Sequence, residues 1–172
     1  MLKIFSTQLL GCLKKITEKE EINLEDSARL VAQAIIGDGH LYIYGAKEMH
    51  AVTLEATDGQ EPFPKAKALH HVEELSPMDR VLLISRYSTD EEIVTFAKQL
   101  QEAGIPAVGI STIQDGIESL ESFVDVHIDL QLIRGLIPAE DGTRTGFPTS
   151  MVALFAYFGL FFTVQEIVEE YM

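Results

Sequence analysis

Short apolar runs alternate with helical patterns along the chain. Five runs are predicted to form strands, at residues 40–44, 66–72, 81–85, 105–110 and 124–130. The run at 66–72 is broken by polar residues and is predicted to be a weak outer strand. The runs at 81–85 and 105–110 are the most continuously apolar, as in strands that are buried on both faces. Such strands alternating with helices predict an α/β fold, in which helices cover both faces of a parallel sheet.

The helical patterns account for most of the remaining chain. Helices are predicted at residues 2–20, 24–36, 48–57, 90–103 and 148–169, with a short helical turn at 117–122. Asn23 is predicted to cap the second helix, and Pro148 suits the first turn of the last helix. With 172 residues, no internal repeat and no long linker, the chain is expected to form a single domain, 1–172, with residues 1–37 as a helical lead-in.

Two turns are the predicted location of a ligand site. In open parallel sheets, ligands bind beyond the carboxyl ends of the strands, where the winding reverses. This rule points to residues 45–49 and 85–89. The second turn places Ser85, Arg86, Ser88 and Thr89 directly before a helix, whose first-turn N–H groups and dipole favour an anion. In the alternative interpretation, Ser88 or Thr89 only caps that helix.

A second polar segment precedes the last helix. Residues 134–146 form a polar loop rich in glycine, and Thr149 and Ser150 open the helix that follows. A simple cap explains one of these two hydroxyls, but it does not explain why Arg144 and Thr145 lie so close to them in the sequence. Two helix starts rich in hydroxyl groups therefore predict a shared anion pocket.

The charge of the chain restricts its partners. With 13 basic and 27 acidic residues, the formal charge is −14. Such a chain repels nucleic acids and anionic lipids, so neither is expected as a partner.

The apolar run 151–164 is about 14 residues long, short of the ~20 needed to span a membrane, and is predicted to lie in the core or in a subunit interface. The single cysteine, Cys12, is typical of a cytoplasmic protein without disulfides.

Several other sites are not supported by the sequence. The turn after the first strand has one glycine, Gly45, where a dinucleotide fold needs Gly-x-Gly-x-x-Gly, and no Walker-type motif occurs. His70 and His71 are neighbours, and in a strand they would point to opposite faces, so they cannot share a metal there. No metal and no cofactor are therefore predicted.

Four segments together resemble the SIS (sugar isomerase) domain family. They read HLYIYGAKEMHA, DRVLLISRYSTDEEIVTFAKQLQEAGIPAVGIST, SFVDVHIDL and GFPTSMVALFAYFGL, and the resemblance covers residues 24–165. It extends to phosphoheptose isomerases and to small SIS-type proteins of Gram-positive bacteria. The resemblance implies a flavodoxin-like, three-layer αβα sandwich with a five-stranded parallel sheet, usually a dimer, that binds a phosphorylated sugar.

The family's phosphate-binding turns are altered in this chain. The first is typically Gly-x-Gly-x-Ser, but here it is Gly-Ala-Lys-Glu-Met, so Lys47 replaces the second glycine and Met49 replaces the serine. The second is typically Ser-x-Ser-Gly-x-Thr, but here it is Ser-Arg-Tyr-Ser-Thr-Asp, in which Ser85 is kept. Ser88 and Thr89, one place along, are predicted to substitute for the lost hydroxyl groups, and Lys47 and Arg86 to supply charge that other members of the family do not need.

The resemblance implies a binding site and leaves the chemistry open. The predicted substrate-binding residues are Gly45, Lys47, Ser85, Arg86, Ser88, Thr89, Thr149 and Ser150. An aldose–ketose isomerase also needs an acid or base, for which His50 and Glu55 are the candidates, with Asp141 behind them. The alternatives are a non-catalytic phosphosugar sensor, a dimeric scaffold, or a domain whose pocket is filled by Tyr87 and Met49. A homodimer is predicted from the apolar last helix and the apolar stripe of the first.

Overall fold

The computed structural model of the protein describes residues 1–172 and contains a parallel sheet between two layers of helices. Its strands are β1 (Leu41–Gly45), β2 (Ala66–Ala68), β3 (Arg80–Tyr87), β4 (Ala107–Thr112) and β5 (Val126–Asp129). They lie in the order β2-β1-β3-β4-β5, and every neighbouring pair is parallel. The predicted α/β class and the five-stranded parallel sheet are confirmed.

The helices divide between the two faces of the sheet. They are α1 (Leu2–Lys19), α2 (Glu21–Ile36), α3 (His50–Asp58), α4 (Glu91–Ala103) and α5 (Thr149–Tyr171), with 3₁₀ turns at Lys47–Met49, Val72–Glu74 and Leu120–Ser122. Residues of α1, α2, α3 and α5 belong to one core cluster, and α4 belongs to the other. This arrangement is the three-layer αβα sandwich that the resemblance implied.

The core consists of two clusters because successive side chains of a strand point to opposite faces. In β3, Leu82 and Ile84 belong to the larger cluster, with Tyr157 of α5, whereas Val81 and Leu83 belong to the smaller one. All four strand residues are fully buried. The continuous apolar run of β3 therefore reflects a strand that is covered on both faces.

The start of α2 differs from the prediction. The helix begins at Glu21, so the prediction that Asn23 caps it was wrong. Asn23 Nδ2 instead donates to Glu20 Oε2 at 2.8 Å, and the same oxygen accepts from the backbone N–H of Asp129 at 3.2 Å. The buried Glu20 thus ties the junction of α1 and α2 to the end of β5.

Three features at the carboxyl side of the sheet also differ from the prediction. β3 extends to Tyr87 instead of ending at residue 85, because a register shift between Ile84 and Tyr87 lets the strand resume its pairing with β4. β2 is shorter than predicted. The loop at 134–146 contains a hairpin of β6 (Ile137–Pro138) and β7 (Arg144–Thr145), which was not predicted because two-residue strands have no recognisable periodicity.

The last helix is longer than its apolar run. α5 has 23 residues, and by length and mean hydropathy (1.8) it could cross a bilayer. A core helix of a globular protein has the same composition, and eight residues of α5, among them Val152, Ala156 and Leu160, are buried against the rest of the protein. α5 packs mainly against α2, in agreement with the prediction of a core helix.

A partly buried histidine lies on the α4 face of the sheet. His127 of β5 packs over Gly109, and its Nε2 is 2.7 Å from Ser111 Oγ. Its Nδ1 is buried without a hydrogen-bond partner. Burial lowers the pKa of His127 below its ordinary value of 6.5, against the opposing influence of Glu121 and Asp129. The folded protein therefore holds this imidazole neutral.

This histidine predicts a pH dependence of stability. Its pKa is higher in the unfolded chain, so protonation below the ordinary value of 6.5 favours unfolding. We expect the free energy of unfolding of the wild type, relative to His127→Gln, to decrease between about pH 8 and about pH 5. Urea titrations at both pH values measure this difference, with His70→Gln on an exposed loop as control. A difference that does not change with pH would contradict the assignment.

Candidate functional site

A cleft opens where the winding of the sheet reverses. β1 and β3 are neighbours, with Gly45 opposite Ile84, and the chain leaves them towards opposite faces, through α3 after β1 and through α4 after β3. The cleft has a volume of 390 Å³. Its lining residues are Ala46, Lys47, Glu48, Arg86, Tyr87, Thr89, Asp90, Glu91 and Glu92. Both predicted turns therefore contribute to one cavity.

The turn after β1 depends on a close backbone approach. A Cβ atom at Gly45 would lie 2.0 Å from the carbonyl oxygen of Met49, so only glycine fits. Met49 is fully buried in the core and does not fill the cleft. Lys47 has a φ of +52°, in the left-handed region that glycine adopts more easily. Its Nζ lies 3.9 Å from Asp90 Oδ2 across the cleft.

Glu48 joins three segments that are far apart in the sequence. Arg86 Nε donates to Glu48 Oε1 at 2.7 Å, and Arg86 Nη2 donates to Oε2 at 2.9 Å, a bidentate pair. Thr149 Oγ1 donates to Oε1 at 2.9 Å. Glu48 was not among the site residues predicted from the sequence. The only available signal was its position in the turn after β1, next to the strand that carries Arg86.

These contacts change the ionisation of both groups. Burial alone would raise the pKa of Glu48, but hydrogen bonds from Arg86, from its own backbone N–H and from Thr149 lower it below its ordinary value. The hydrogen bonds to Glu48 also raise the pKa of Arg86. Both side chains are therefore charged at neutral pH.

The start of α5 lies beside this ion pair. Pro148 is the N-cap residue and provides no side-chain cap, and the Thr149 N–H donates to the Phe147 carbonyl at 2.9 Å. The backbone N–H groups of Ser150 and Met151 have no acceptor in the preceding turn. The positive end of the helix dipole therefore lies next to the carboxylate that Thr149 binds.

The hydroxyl groups of the second turn mostly face the protein. Ser85 is fully buried, and its Oγ donates to the Tyr87 carbonyl at 2.7 Å. Ser88 is also fully buried, and its Oγ accepts from Gln114 N at 2.9 Å and from Ser119 Oγ at 2.7 Å. Neither hydroxyl lines the cleft, whereas Thr89 does.

The interpretation of Ser88 or Thr89 as a helix cap was wrong. Asp90 is the N-cap of α4, and its Oδ1 accepts from Glu92 N at 3.1 Å and from Ile93 N at 3.3 Å. In the second turn, Asp90 stands where the SIS domain family typically has threonine. In this chain a carboxylate therefore caps the first turn of α4.

The three candidate acid–base residues lie outside the cleft. His50 is exposed at the first position of α3. Glu55 is half-buried on the same helix. The pKa of Tyr157 is raised mainly by the burial of Tyr157 itself and, to a smaller extent, by the charge of Glu55. Asp141 lies in an exposed loop and accepts from the N–H and the hydroxyl of Thr143. None of the three lines the cavity.

One wall of the cleft is aromatic and the rest is strongly charged. Tyr87 packs edge-to-face against Phe147, with ring centroids 6.4 Å apart, and leaves the cavity open. The lining contains two cations, Lys47 and Arg86. It also contains four carboxylates, those of Glu48, Asp90, Glu91 and Glu92. The local charge is therefore negative in the absence of a ligand.

Sequence comparison identifies a family and a close relative. Residues 1–168 match the family model described as "Domain of unknown function (DUF2529)". The chain is 45% identical over 172 residues to the "Uncharacterized protein YwjG" of Bacillus subtilis (strain 168), covering 99% of each protein. The relative therefore has the same domain extent as this chain.

Two solved structures show the same fold at low sequence identity. The NanR protein of Vibrio vulnificus, complexed with ManNAc-6P, is 14% identical, with a TM-score of 0.61 over 98% of this chain and 61% of that one. This chain thus spans less than two thirds of that protein. The sugar isomerase domain of the RpiR transcription factor from Sphaerobacter thermophilus is 10% identical, with a TM-score of 0.60 over 96% of each chain. These similarities show a fold of the sugar isomerase type.

Proposed function

We propose that this chain, which belongs to the DUF2529 family, binds a phosphorylated sugar in the cleft at the ends of β1 and β3. The observation that carries the proposal is that Arg86 and Thr149, the first residue of α5, both bind the carboxylate of Glu48, which lines that cleft. A guanidinium, a hydroxyl and a helix N-terminus are the groups that proteins use to bind phosphate. The NanR protein, which has the same fold, is complexed with a phosphorylated sugar.

The proposed site differs from the set of binding residues that was predicted from the sequence. Arg86 and Thr149 hold the phosphate, and Ser150 contributes its backbone N–H. Lys47 and Thr89 lie on the cleft wall and contact the rest of the ligand. Gly45 permits the tight turn, and Ser85 and Ser88 hold the second turn in place through their buried hydroxyl groups.

Binding is expected to depend on Arg86. In calorimetric titrations against a panel of heptose, hexosamine and pentose phosphates, we expect one phosphorylated sugar to bind and its unphosphorylated form not to bind. Arg86→Ala should weaken that binding by about tenfold or more, since a hydrogen bond to a charged group contributes about 1.5–3 kcal/mol. Arg29→Ala is the matched control, because Arg29 is an exposed arginine on α2 that pairs with Glu25.

Two results would contradict the assignment. Equal loss of affinity in Arg86→Ala and Arg29→Ala would show that the effect is one of overall charge. Absence of binding by every phosphorylated sugar in the panel would favour a scaffold without a small ligand.

A sensor without catalysis is favoured over an isomerase by the position of the acid–base candidates. Aldose–ketose isomerisation needs a group that moves a proton between adjacent carbons. His50 and Glu55 do not line the cleft. A transcription factor with the same fold carries the sugar isomerase domain as a module. Isomerisation with His50 and Glu55 as acid and base is the second candidate, and it requires α3 to move towards the ligand.

Deuterium exchange separates the two candidates. An isomerase that passes through an enediol exchanges a carbon-bound proton of its substrate with solvent. For a sensor, we expect the bound phosphosugar to retain this proton after prolonged incubation in D₂O, as measured by proton NMR. Exchange that is abolished by Glu55→Gln or His50→Gln, with binding intact, would instead establish the isomerase.

We further propose a cytoplasmic homodimer formed through α1 and α5. Both helices expose large apolar side chains, among them Leu2, Leu10, Phe155 and Phe162. Such residues on neighbouring helices are typical of a subunit interface. We expect light scattering to give twice the monomer mass and Phe162→Ser to shift the protein towards the monomer. A monomer mass for the wild type at micromolar concentration would exclude this dimer.

A further inference from the structure

The Glu48 carboxylate occupies the place that the proposed site reserves for phosphate. Its two oxygens accept three hydrogen bonds, two from Arg86 and one from Thr149, at 2.7–2.9 Å. These are the side-chain donors that a phosphate would use. A ligand phosphate therefore cannot bind Nε and Nη2 of Arg86 together with the Thr149 hydroxyl while Glu48 holds them.

The position of the Glu48 side chain allows it to release Arg86 and Thr149. It lies in the 3₁₀ turn between β1 and α3, next to Lys47 with its strained positive φ. The side chain is 29% exposed and that of Arg86 is 41% exposed, so water can replace each partner. Solvent screens an ion pair that is partly exposed, and ordering its side chains costs entropy, so it is held less firmly than a buried pair.

The charge of the ligand determines whether it can displace Glu48. A phosphate monoester carries about −1.5 to −2 charges at pH 7 and has three strong acceptor oxygens. A ligand carboxylate offers the same charge and the same two oxygens as Glu48, which in addition is tethered beside its donors. Tethering gives a group an effective concentration on the order of millimolar. A free carboxylate therefore has no advantage over Glu48, whereas a phosphate does.

We propose that Glu48 is a specificity-determining residue, an internal carboxylate that a phosphate dianion displaces and a carboxylate ligand does not. This inference rests on the phosphosugar function proposed above. It assigns the site to phosphorylated sugars and excludes sugar acids. It also accounts for a cleft that is negatively charged without a ligand, since release of Glu48 frees the guanidinium for the incoming anion.

Calorimetry with inorganic phosphate and with acetate as probes tests the proposal at neutral pH. The variants are Glu48→Gln, which keeps the shape and removes the charge, and Glu91→Gln. Glu91 is the matched control because it lines the same cleft, is exposed, and its side chain makes no hydrogen bond or ion pair. A site that is open in one molecule in ten shows an apparent affinity reduced about tenfold. We therefore expect Glu48→Gln to bind phosphate about tenfold more tightly than the wild type, and to bind acetate measurably.

The outcomes separate the two proposals. Tighter phosphate binding and new acetate binding in Glu48→Gln alone support displacement, even if the wild type binds phosphate too weakly to measure. Phosphate binding by the wild type that Glu48→Gln does not improve beyond Glu91→Gln overturns the role of Glu48 and leaves the proposed function standing. Absence of phosphate binding by all three proteins, together with a negative sugar-phosphate panel, overturns both.

Discussion

The hydrogen-bonded ion pair of Glu48 and Arg86 is the contact on which the functional end of this molecule depends. Parallel pairing of β1 and β3 places the two turns side by side, but it does not fix how they face each other. Gly45 lets the first turn fold back against Met49, and this brings Glu48 opposite Arg86. Thr149 then binds the same carboxylate and holds the start of α5 there. One carboxylate thus connects two strands and the longest helix.

The same contact shows how an acidic protein can hold an anion site. A formal charge of −14 repels phosphate at long range, so binding has to come from a few donors at short range. Arg86 is such a donor, and without a ligand its guanidinium is paired with the carboxylate of Glu48. Glu48 satisfies it until a ligand arrives, and Asp90 does the same for the start of α4. The second altered turn therefore carries a carboxylate, Asp90, where the resembling family has threonine, and the first carries Glu48 at a position that the family leaves variable.

The sequence predicted the fold more completely than the site. Continuous apolar runs such as 81–85 identify buried parallel strands, and the reversal rule located the cleft at the correct two turns, because both depend on backbone topology. Side-chain direction depends on local irregularities that the pattern does not contain. The Ser85 hydroxyl donates to the Tyr87 carbonyl within the irregular end of β3, and the Ser88 hydroxyl binds Gln114 and Ser119 of a distant loop. Because the sequence pattern does not contain side-chain directions, Glu48 could not be identified from the sequence as the partner of Arg86.

The ionisation of Glu48 also bears on catalysis. A carboxylate whose pKa lies below its ordinary value is a weak proton acceptor, so Glu48 cannot serve as the base of an isomerase while Arg86 and Thr149 bind it. The other acids of the cleft wall are exposed, except for Asp90, which caps α4. The carboxylates of the cleft are thus bound by Arg86 and Thr149, occupied in capping α4, or exposed to solvent, while Arg86 and Thr149 are donors suited to an anion.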